Sequence, residues 1–299
     1  MEGATCAYFH VVLIAPEIVS AGMLAPFKCL KKGSVLHMGL KPISEQEWVA
    51  PFSPEIYQMF NRHKQSVLLE DANTVLVDAL ATEALAELHK LLSVNLQRYH
   101  SSVLNECNIT VGGNAPVKSY DVLKEISGWI PDDICLLQPP VDEEEYILTA
   151  AAVFSPAGWL PEDKFLNPLS KIHDPVPGYQ KTLAGSVNRF FRHISPENPV
   201  ERYNWSLQQG DELRRLPQVH PKTDTLTPLY FRSERQLLLR LPKTHAVIFL
   251  IRTTLFKLDE LLAAESGAFS KSELLEVIGS LSAEEQSYKN LSAILKLLL

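Results

Sequence analysis

Hydrophobic and polar residues alternate with the two-residue period of a β-strand along much of the second half of the chain. The runs with this alternation, or with the short apolar pattern of a buried strand, are residues 134–137, 146–154, 200–207, 229–241 and 246–254. A four-residue P-K-T-H connection joins the last two runs, which predicts an antiparallel hairpin. We therefore expect a mainly antiparallel sheet.

Elsewhere, apolar residues recur at three- and four-residue steps, as they do on the buried side of an amphipathic helix. The predicted helices cover residues 45–49, 71–100 in one or two segments, 179–194, 255–264, 271–278 and 283–298. Ser270 with Glu273 and Ser282 with Glu285 have the spacing of a capping box at a helix start. Helices around an antiparallel sheet predict an α+β fold.

The composition is that of a folded protein with a net negative charge. A hydrophobic fraction of 46% in 299 residues is enough for a substantial core, and the formal net charge is -7. Basic pairs occur only at residues 31–32 and 214–215, so a nucleic-acid partner is not expected. The four cysteines are far apart, which argues against a zinc or iron–sulfur site and suits a reducing compartment.

The first 30 residues carry little that can be assigned. Their apolar run at residues 11–15 ends at Pro16 and Glu17, and no basic segment precedes it. Neither a signal peptide nor a membrane span is therefore predicted. We expect residues 31–299 to form one domain, and the protein to lie in the cytoplasm or in an organelle.

His173 is the residue in this sequence that most resembles a metal ligand. It precedes Pro175 and Pro177, whose rings fix two backbone angles and stiffen the chain into a corner before an amphipathic helix. A neutral imidazole is a common iron ligand, and a stiff corner aims the ring in one direction. The alternative interpretation is that His173 caps or braces this corner and binds nothing.

The hairpin over residues 229–254 carries several charged residues within otherwise apolar strands. Alternation places Arg232, Glu234 and Arg240 on one face of the first strand and Arg235 on the other. Inward-facing guanidinium groups suit the carboxylates of a ligand, because arginine binds a carboxylate through two parallel hydrogen bonds. The alternative is a lattice of surface ion pairs, in which Glu234 only partners a neighbouring arginine.

Tyr203 and Asn204, on the preceding strand, are candidates for a pocket wall, although an aromatic strand is as typical of a core. Glu234 is a candidate partner for a cationic amine. The sequence contains no G-x-S-x-G elbow, no H-E-x-x-H helix motif and no G-x-G-x-x-G fingerprint. A serine hydrolase and a dinucleotide-binding enzyme are therefore not expected.

Several motifs follow one another in a specific order along the chain. They are H-M-G-L-K-P at 37–42, S-P-A-G-W at 155–159 with Lys164, I-H-D-P-V-P at 172–177, R-F-F at 189–191, P-V-E-R-Y-N-W at 199–205, R-S-E-R-Q-L-L-L-R-L-P at 232–242, I-R-T at 251–253 and S-Y-K-N-L at 287–291. Each motif alone is weak. Together they resemble the haem-dependent oxidative N-demethylase family from about Lys32 to the carboxyl terminus.

This resemblance implies a PAS-like α+β domain that holds haem b. It implies a monooxygenase that uses O2 to remove a methyl group from a small alkylamine, such as dimethylamine, with release of formaldehyde. It also implies that a separate flavin and iron–sulfur reductase delivers the electrons. The residues assigned by the motifs are His173 as axial iron ligand, Arg232, Arg235 and Arg240 for the haem propionates, Glu234 for the amine or a proton, and Tyr203 and Asn204 for the pocket wall.

Because side chains alternate along a strand, Arg235 does not share a face with Arg232 and Arg240. At least one of the three propionate contacts is therefore not expected. The family usually has a small residue at the hairpin turn where this chain has His245. Two other functions are compatible with the same fold: a haem sensor or carrier, and a haem-free scaffold. An open iron position beside a buried carboxylate would favour the enzyme, and a second axial ligand would favour the sensor.

Overall fold

The computed structural model describes residues 27, 30–33, 38–139, 145–217, 226–263 and 269–298. Its strands are β1 (Lys41–Pro42), β2 (Val75–Val77), β3 (Asp133–Gln138), β4 (Ile147–Ala152), β5 (Val200–Gln209), β6 (Leu229–Arg240) and β7 (Val247–Lys257). They form one sheet in the order β1-β5-β6-β7-β3-β4-β2, and every neighbouring pair is antiparallel. The expected α+β class with a mainly antiparallel sheet is confirmed.

The α-helices of the described residues lie between and after these strands. They are α1 (Pro54–Glu70), α2 (Thr82–Tyr99), α3 (Ser101–Glu106), α4 (Ser119–Trp129), α5 (Pro161–Lys164), α6 (Leu169–Ile172), α7 (Tyr179–Thr182), α8 (Ala184–His193), α9 (Leu258–Leu262), α10 (Lys271–Gly279), α11 (Ala283–Tyr288) and α12 (Leu291–Leu298). The capping boxes expected at Ser270 and Ser282 are confirmed, since each serine and the glutamate three residues later exchange hydrogen bonds. No described helix has the length and apolar character that a membrane span requires.

Helices bury both faces of the sheet, as the alternation along β6 shows. Leu237 and Leu239 pack in one cluster with residues of α2 and α4. Leu238, between them, packs in another cluster with Phe191 of α8. Near the start of β6, Phe231 packs in a third cluster with residues of α9, α10 and α12. Successive side chains of one strand therefore enter different layers.

The β6–β7 hairpin confirms the predicted pairing, and its turn explains a feature of the sequence. Leu241 N–H donates to the carbonyl of Ala246 at 2.8 Å, which closes the turn. His245 has a φ of 58°, in the left-handed region that glycine adopts at least cost and that histidine adopts more often than most other residues. β7 continues to Lys257, so the helix expected from residue 255 begins later, at Leu258.

The helix predicted over residues 71–100 is wrong at its beginning, because α2 starts only at Thr82. Val75–Val77 instead form the edge strand β2, paired with Ala150–Ala152 of β4. Pairing satisfies backbone groups that β4 would otherwise leave open, and this tertiary contact overrides the local helix propensity of alanine and leucine.

The sequence analysis also missed α1. Ser53 caps this helix, since its Oγ accepts a hydrogen bond from the N–H of Ile56 at 3.4 Å, and Pro54 occupies the first turn. A serine followed by proline is a common helix start. Most of residues 1–30 and the end of the predicted helix over 255–264 lie outside the described residues.

Candidate functional site

One face of the β5–β6 ladder carries a row of polar side chains. In the register of the sheet, Asn204 lies opposite Glu234, and Arg202 lies opposite Gln236. Arg232 is two residues before Glu234 on β6 and therefore projects to the same side. We call these five residues the polar face.

The carboxylate of Glu234 is the centre of the polar face. Its Oε1 accepts a hydrogen bond from Nε of Arg232 at 3.1 Å, while Oε2 accepts one from Asn204 at 3.3 Å and one from Gln236 at 3.2 Å. Burial alone would raise the pKa of Glu234, but the charges of Arg232 and Lys289 and the hydrogen bonds lower it below its ordinary value. Glu234 is therefore ionised at neutral pH.

Arg232 supports this carboxylate from a wholly buried position, with 0% of its surface exposed. In addition to its bond with Glu234, the guanidinium donates to the backbone carbonyl of Leu213 at 3.0 Å and to that of Ser155. It also donates to the hydroxyl of Thr253 at 3.2 Å. Four of the five guanidinium N–H groups are thereby used inside the protein. This geometry fits a bracing role better than the expected contact with a propionate.

Arg235 and Tyr203 lie opposite each other on the reverse side of β6 and β5, away from the polar face. Nε of Arg235 donates to the carboxylate of Glu201 at 2.8 Å, and its terminal nitrogens donate to the backbone carbonyls of residues 47–48. Arg235 therefore lies on the opposite face of β6 from Arg232 and Glu234, as alternation predicted. Neither Arg235 nor Tyr203 lies on the face of the sheet that carries Glu234.

Arg240 projects to the same side as Arg232 but lies far along the strand. Eight residues separate the two, which corresponds to roughly 26 Å in a β-strand. A terminal nitrogen of Arg240 donates to the carbonyl of Arg192, near the end of α8, at 2.7 Å. The three arginines selected from the sequence therefore do not converge on one group.

His173 follows α6, and two contacts fix its ring. Nδ1 lies 2.8 Å from the carbonyl oxygen of Leu169 and so carries a proton, and the ring stacks on Tyr179 with 4.4 Å between centroids. Nε2 then carries the lone pair, and none of the described residues hydrogen-bonds to it. Burial and the charges of Lys164 and Arg202 lower the pKa of His173 against the opposing effect of its hydrogen bond. The ring is therefore neutral at neutral pH.

The stiff corner expected around His173 is present in the structure. Nζ of Lys164 donates to the carbonyl of Ile172 at 2.7 Å, and the N–H of Val176 donates to the carbonyl of His173 at 2.9 Å. Gly178 ends the corner with a φ of 76°, a conformation that favours glycine. These contacts hold the histidine in one orientation.

The helix that presents His173 packs on the side of the sheet that carries the polar face. Leu169 and Ile172 of α6 share a cluster with Val200 and Leu238. Val200 and Leu238 pair across the β5–β6 ladder and have the same parity as the residues of the polar face. The structure therefore brings His173, Asn204 and Glu234 to one side of the sheet.

The S-Y-K-N-L segment at the end of α11 closes one end of the polar face. Lys289 is buried, and its Nζ donates to the side-chain oxygen of Asn204 at 3.3 Å and to the carbonyl of Trp205 at 2.5 Å. Burial and the charge of Glu234 raise the pKa of Tyr288, against the opposing charge of Arg202. Two motifs far apart in the sequence thus meet at this face.

A model of a known protein family matches this chain. A family model described as haem-dependent oxidative N-demethylase, alpha subunit-like, matches residues 39–299, which is most of the chain. The chain belongs to this family. Its members are thus described as haem-dependent and as resembling one subunit of an oxidative N-demethylase.

The chemistry of His173 fits the haem that the N-demethylase family name implies. A ligating histidine usually donates its other ring N–H to a carbonyl or carboxylate, which fixes the tautomer and directs the lone pair to the metal. His173 has this arrangement with Leu169 as the acceptor. Among the described residues, no cluster of three or more histidine, cysteine, aspartate or glutamate side chains could hold a metal ion.

Sequence reasoning missed the residues that support the polar face in this N-demethylase relative. The N–H of Ser155 donates to Asp133 at 2.9 Å, while the carbonyl of Ser155 accepts a hydrogen bond from Arg232. Asp133 is the first residue of β3, and it directly precedes the apolar run at residues 134–137 from which that strand was predicted. The signal that pointed here was S-P-A-G-W, because this motif begins at Ser155. Arg215, which was noted only as one member of the basic pair at residues 214–215, was also missed.

Proposed function

We propose that this protein is a haem-dependent, oxygen-using oxidative N-demethylase of a small alkylamine of the dimethylamine type. The observation that carries the proposal is the fixed tautomer of His173, which leaves Nε2 available to iron on the side of the sheet that carries the ionised Glu234. Membership of the family supports the haem. The half-buried polar face supports a polar substrate beside it.

In this proposal, His173 binds the iron of haem b through Nε2. The hydrogen bond from Nδ1 to the Leu169 carbonyl raises the basicity of the ring and fixes its plane. Stacking on Tyr179 prevents the ring from turning away. Because the pKa of His173 lies below its ordinary value, no proton competes with the metal at neutral pH.

Glu234 is proposed to bind the cationic amine through its ionised carboxylate or to handle a proton of the reaction. An ionised carboxylate offers about four acceptor positions, of which Arg232, Asn204 and Gln236 use three. The remaining position suits one N–H group of an alkylammonium ion. Asn204 orients the carboxylate, whereas Tyr203, the other residue proposed for the pocket wall, lies on the reverse side of the sheet.

Haem, when bound, would supply the oxygen chemistry that hydroxylates a methyl group next to nitrogen at the expense of O2, two electrons and two protons. The resulting carbinolamine separates into formaldehyde and the shorter amine. The electrons are proposed to come from a separate flavin and iron–sulfur reductase, because this sequence has no dinucleotide fingerprint and no clustered cysteines. The chain itself contributes the histidine, the carboxylate and the walls of the site.

The experiment that tests this function uses hydrogen peroxide, which supplies both the oxygen atom and the oxidising equivalents without a reductase. The haem-loaded protein is incubated with dimethylamine and peroxide, and formaldehyde is measured, with the His173→Ala variant as the control. The proposal predicts amine-dependent formaldehyde with the wild-type protein alone. A loaded protein that releases none, with peroxide or with a reductase, would favour the sensor or carrier, and failure to take up haem would favour the scaffold.

A further inference from the structure

Arg215 lies in the loop after β5, directly beside the S-P-A-G-W motif. Its N–H donates to the carbonyl of Pro156 at 2.9 Å, and its carbonyl accepts a hydrogen bond from the N–H of Gly158 at 2.7 Å. Leu213, two residues earlier, is 2% exposed, and its carbonyl accepts a hydrogen bond from Arg232. The backbone at Arg215 is therefore fixed close to the buried end of the polar face.

The guanidinium of Arg215 is half-buried, and no side-chain hydrogen bond or ion pair joins it to another residue in the described ranges. The arginines near it are paired: Arg214 with Asp71, and Arg232 with Glu234. Arg215 is thus a cation that is partly removed from water and forms no ion pair within the described part of the chain.

The acidic residue nearest in sequence does not neutralise this cation. The carboxylate of Glu212 folds over Gly210, where an added Cβ would stand 2.3 Å from Oε2. Burial and the neighbouring charge of Arg232 lower the pKa of Arg215, and Glu212 only partly opposes this. Arg232 is already paired with Glu234, so the charge of Arg215 is left without an ion-pair partner among the described residues at this end of the polar face.

Removing a cation from water without a partner is costly, so such a group in a native site indicates an anionic ligand. Arginine is the side chain best suited to hold a carboxylate by two parallel hydrogen bonds. We infer that Arg215 binds a carboxylate group of the ligand that occupies the polar face. This inference rests on the proposed function for the identity of that ligand, which is either haem, through a propionate, or an amine substrate that carries a carboxylate.

The first arm of the test measures the binding of iron-free protoporphyrin IX and of its dimethyl ester to the protein by fluorescence. Neither probe needs iron ligation by His173 or turnover, so the result does not depend on the axial ligand or on catalysis. If the propionate is the partner, the wild-type protein binds the free acid about 10- to 100-fold more tightly than the ester. Arg215→Gln loses this preference, and Arg215→Lys keeps part of it.

The second arm uses N-methylglycine, the simplest methylated amine with a carboxylate, and measures its binding by calorimetry. If the substrate supplies the carboxylate, N-methylglycine binds more tightly than dimethylamine, and Arg215→Gln abolishes the difference. A positive result in either arm supports the inference and identifies the source of the carboxylate. Equal behaviour of the wild-type protein and Arg215→Gln in both arms, including failure of all probes to bind, would overturn it.

Arg62→Gln is the matched control, because Arg62 is an exposed arginine on α1 and its loss changes the net charge equally. This variant is expected to bind all four probes as the wild-type protein does. Thermal unfolding without ligand completes the test. If Arg215→Gln lowers the melting temperature of the ligand-free protein by several degrees while Arg62→Gln does not, the guanidinium serves the fold and the inference is wrong.

Discussion

Nε of Arg232 lies 3.1 Å from Oε1 of Glu234, two residues further along the same strand. The period of a β-strand places both side chains on one face, and the guanidinium is wholly buried there. Removing either partner leaves an uncompensated charge in a poorly solvated place. Variants at this pair therefore need separate measurements of folding, haem content and turnover.

The Glu234→Gln variant is expected to keep its haem and to lose at least about 100-fold in demethylation rate, the usual range for a group that handles a proton. The amide has the shape of the carboxylate but neither its charge nor its basicity. Haem content is read from the Soret band and turnover from formaldehyde release. Gln236→Ala is the control, because it removes one hydrogen bond from Glu234 and leaves the charge. Unchanged turnover in Glu234→Gln would exclude the proposed role.

The His173→Ala variant is expected to fold normally and to take up no haem, since the proposed axial ligand is lost. His193→Ala is a close control: Nδ1 of His193 also bonds to the carbonyl four residues earlier, at 2.7 Å from Arg189, but the residue is exposed at the end of α8. Circular dichroism reports folding, and absorbance after haem addition reports loading. A normal Soret band in His173→Ala would refute the ligand assignment.

The buried pair of Arg252 and Asp132 is expected to support the fold and not the chemistry. Only 8% and 1% of the two side chains are exposed, and the Arg252 guanidinium lies 5.7 Å from the centre of the Phe52 ring. Arg252→Met leaves the carboxylate of Asp132 buried without its partner. The substitution should therefore lower the free energy of unfolding by about 3 kcal/mol or more. Urea unfolding of the haem-free protein measures this.

Lys32→Met provides the comparison for Arg252→Met. The pair of Lys32 and Glu276 is open to solvent, with 67% and 54% of the side chains exposed. Breaking it should change the free energy of unfolding by less than about 1 kcal/mol. Equal losses in the two variants would show that the Arg252 pair has no special place in the core.

Asp133 should give the stability of the haem-free protein a distinctive pH dependence. Burial raises the pKa of Asp133 from 3.8 to about 6, although the charge of Lys64 opposes this shift. The native state then binds the proton more tightly than the unfolded chain. Its stabilising contribution is complete below about pH 4 and is lost as the pH rises through 6, by up to about 3 kcal/mol.

The Asp133→Asn variant removes this titration. Its loss of stability relative to the wild-type protein should therefore shrink as the pH rises from 4 to 6, as measured by urea unfolding at several pH values. Asp121→Asn, an exposed substitution on α4, gives the background dependence. A difference between wild type and Asp133→Asn that stays constant with pH would contradict the expected shift.

Local pattern was enough for the elements whose partners are neighbours in the sequence. The β6–β7 hairpin followed from alternation and a short connection, and the helix starts at Ser270 and Ser282 followed from capping boxes. β2 could not be found in this way, because Val75–Val77 become a strand only beside β4, more than 70 residues later. The helical spacing of Leu76 with Leu80 and the alanine residues around Leu80 favour a helix there.

The candidate site likewise has features that local sequence predicted and features that depend on contacts between distant segments. Alternation separated Arg235 from Glu234 correctly, and the proline corner singled out His173. The contacts of Arg232 with Ser155 and Leu213, and the place of Lys289 beside Asn204, join segments that only the folded chain brings together. No spacing in the sequence distinguishes a brace from a ligand contact, so the role of Arg232 could not be predicted.

In the haem-loaded protein, Nε2 of His173 would bind the iron and leave it accessible to a small ligand such as O2. The measurement that tests it most directly is the visible spectrum of the haem-reconstituted protein, reduced with dithionite and then exposed to carbon monoxide. We expect a five-coordinate, histidine-type ferrous spectrum that converts to a CO complex. No haem uptake, or a six-coordinate spectrum that resists CO, would contradict it.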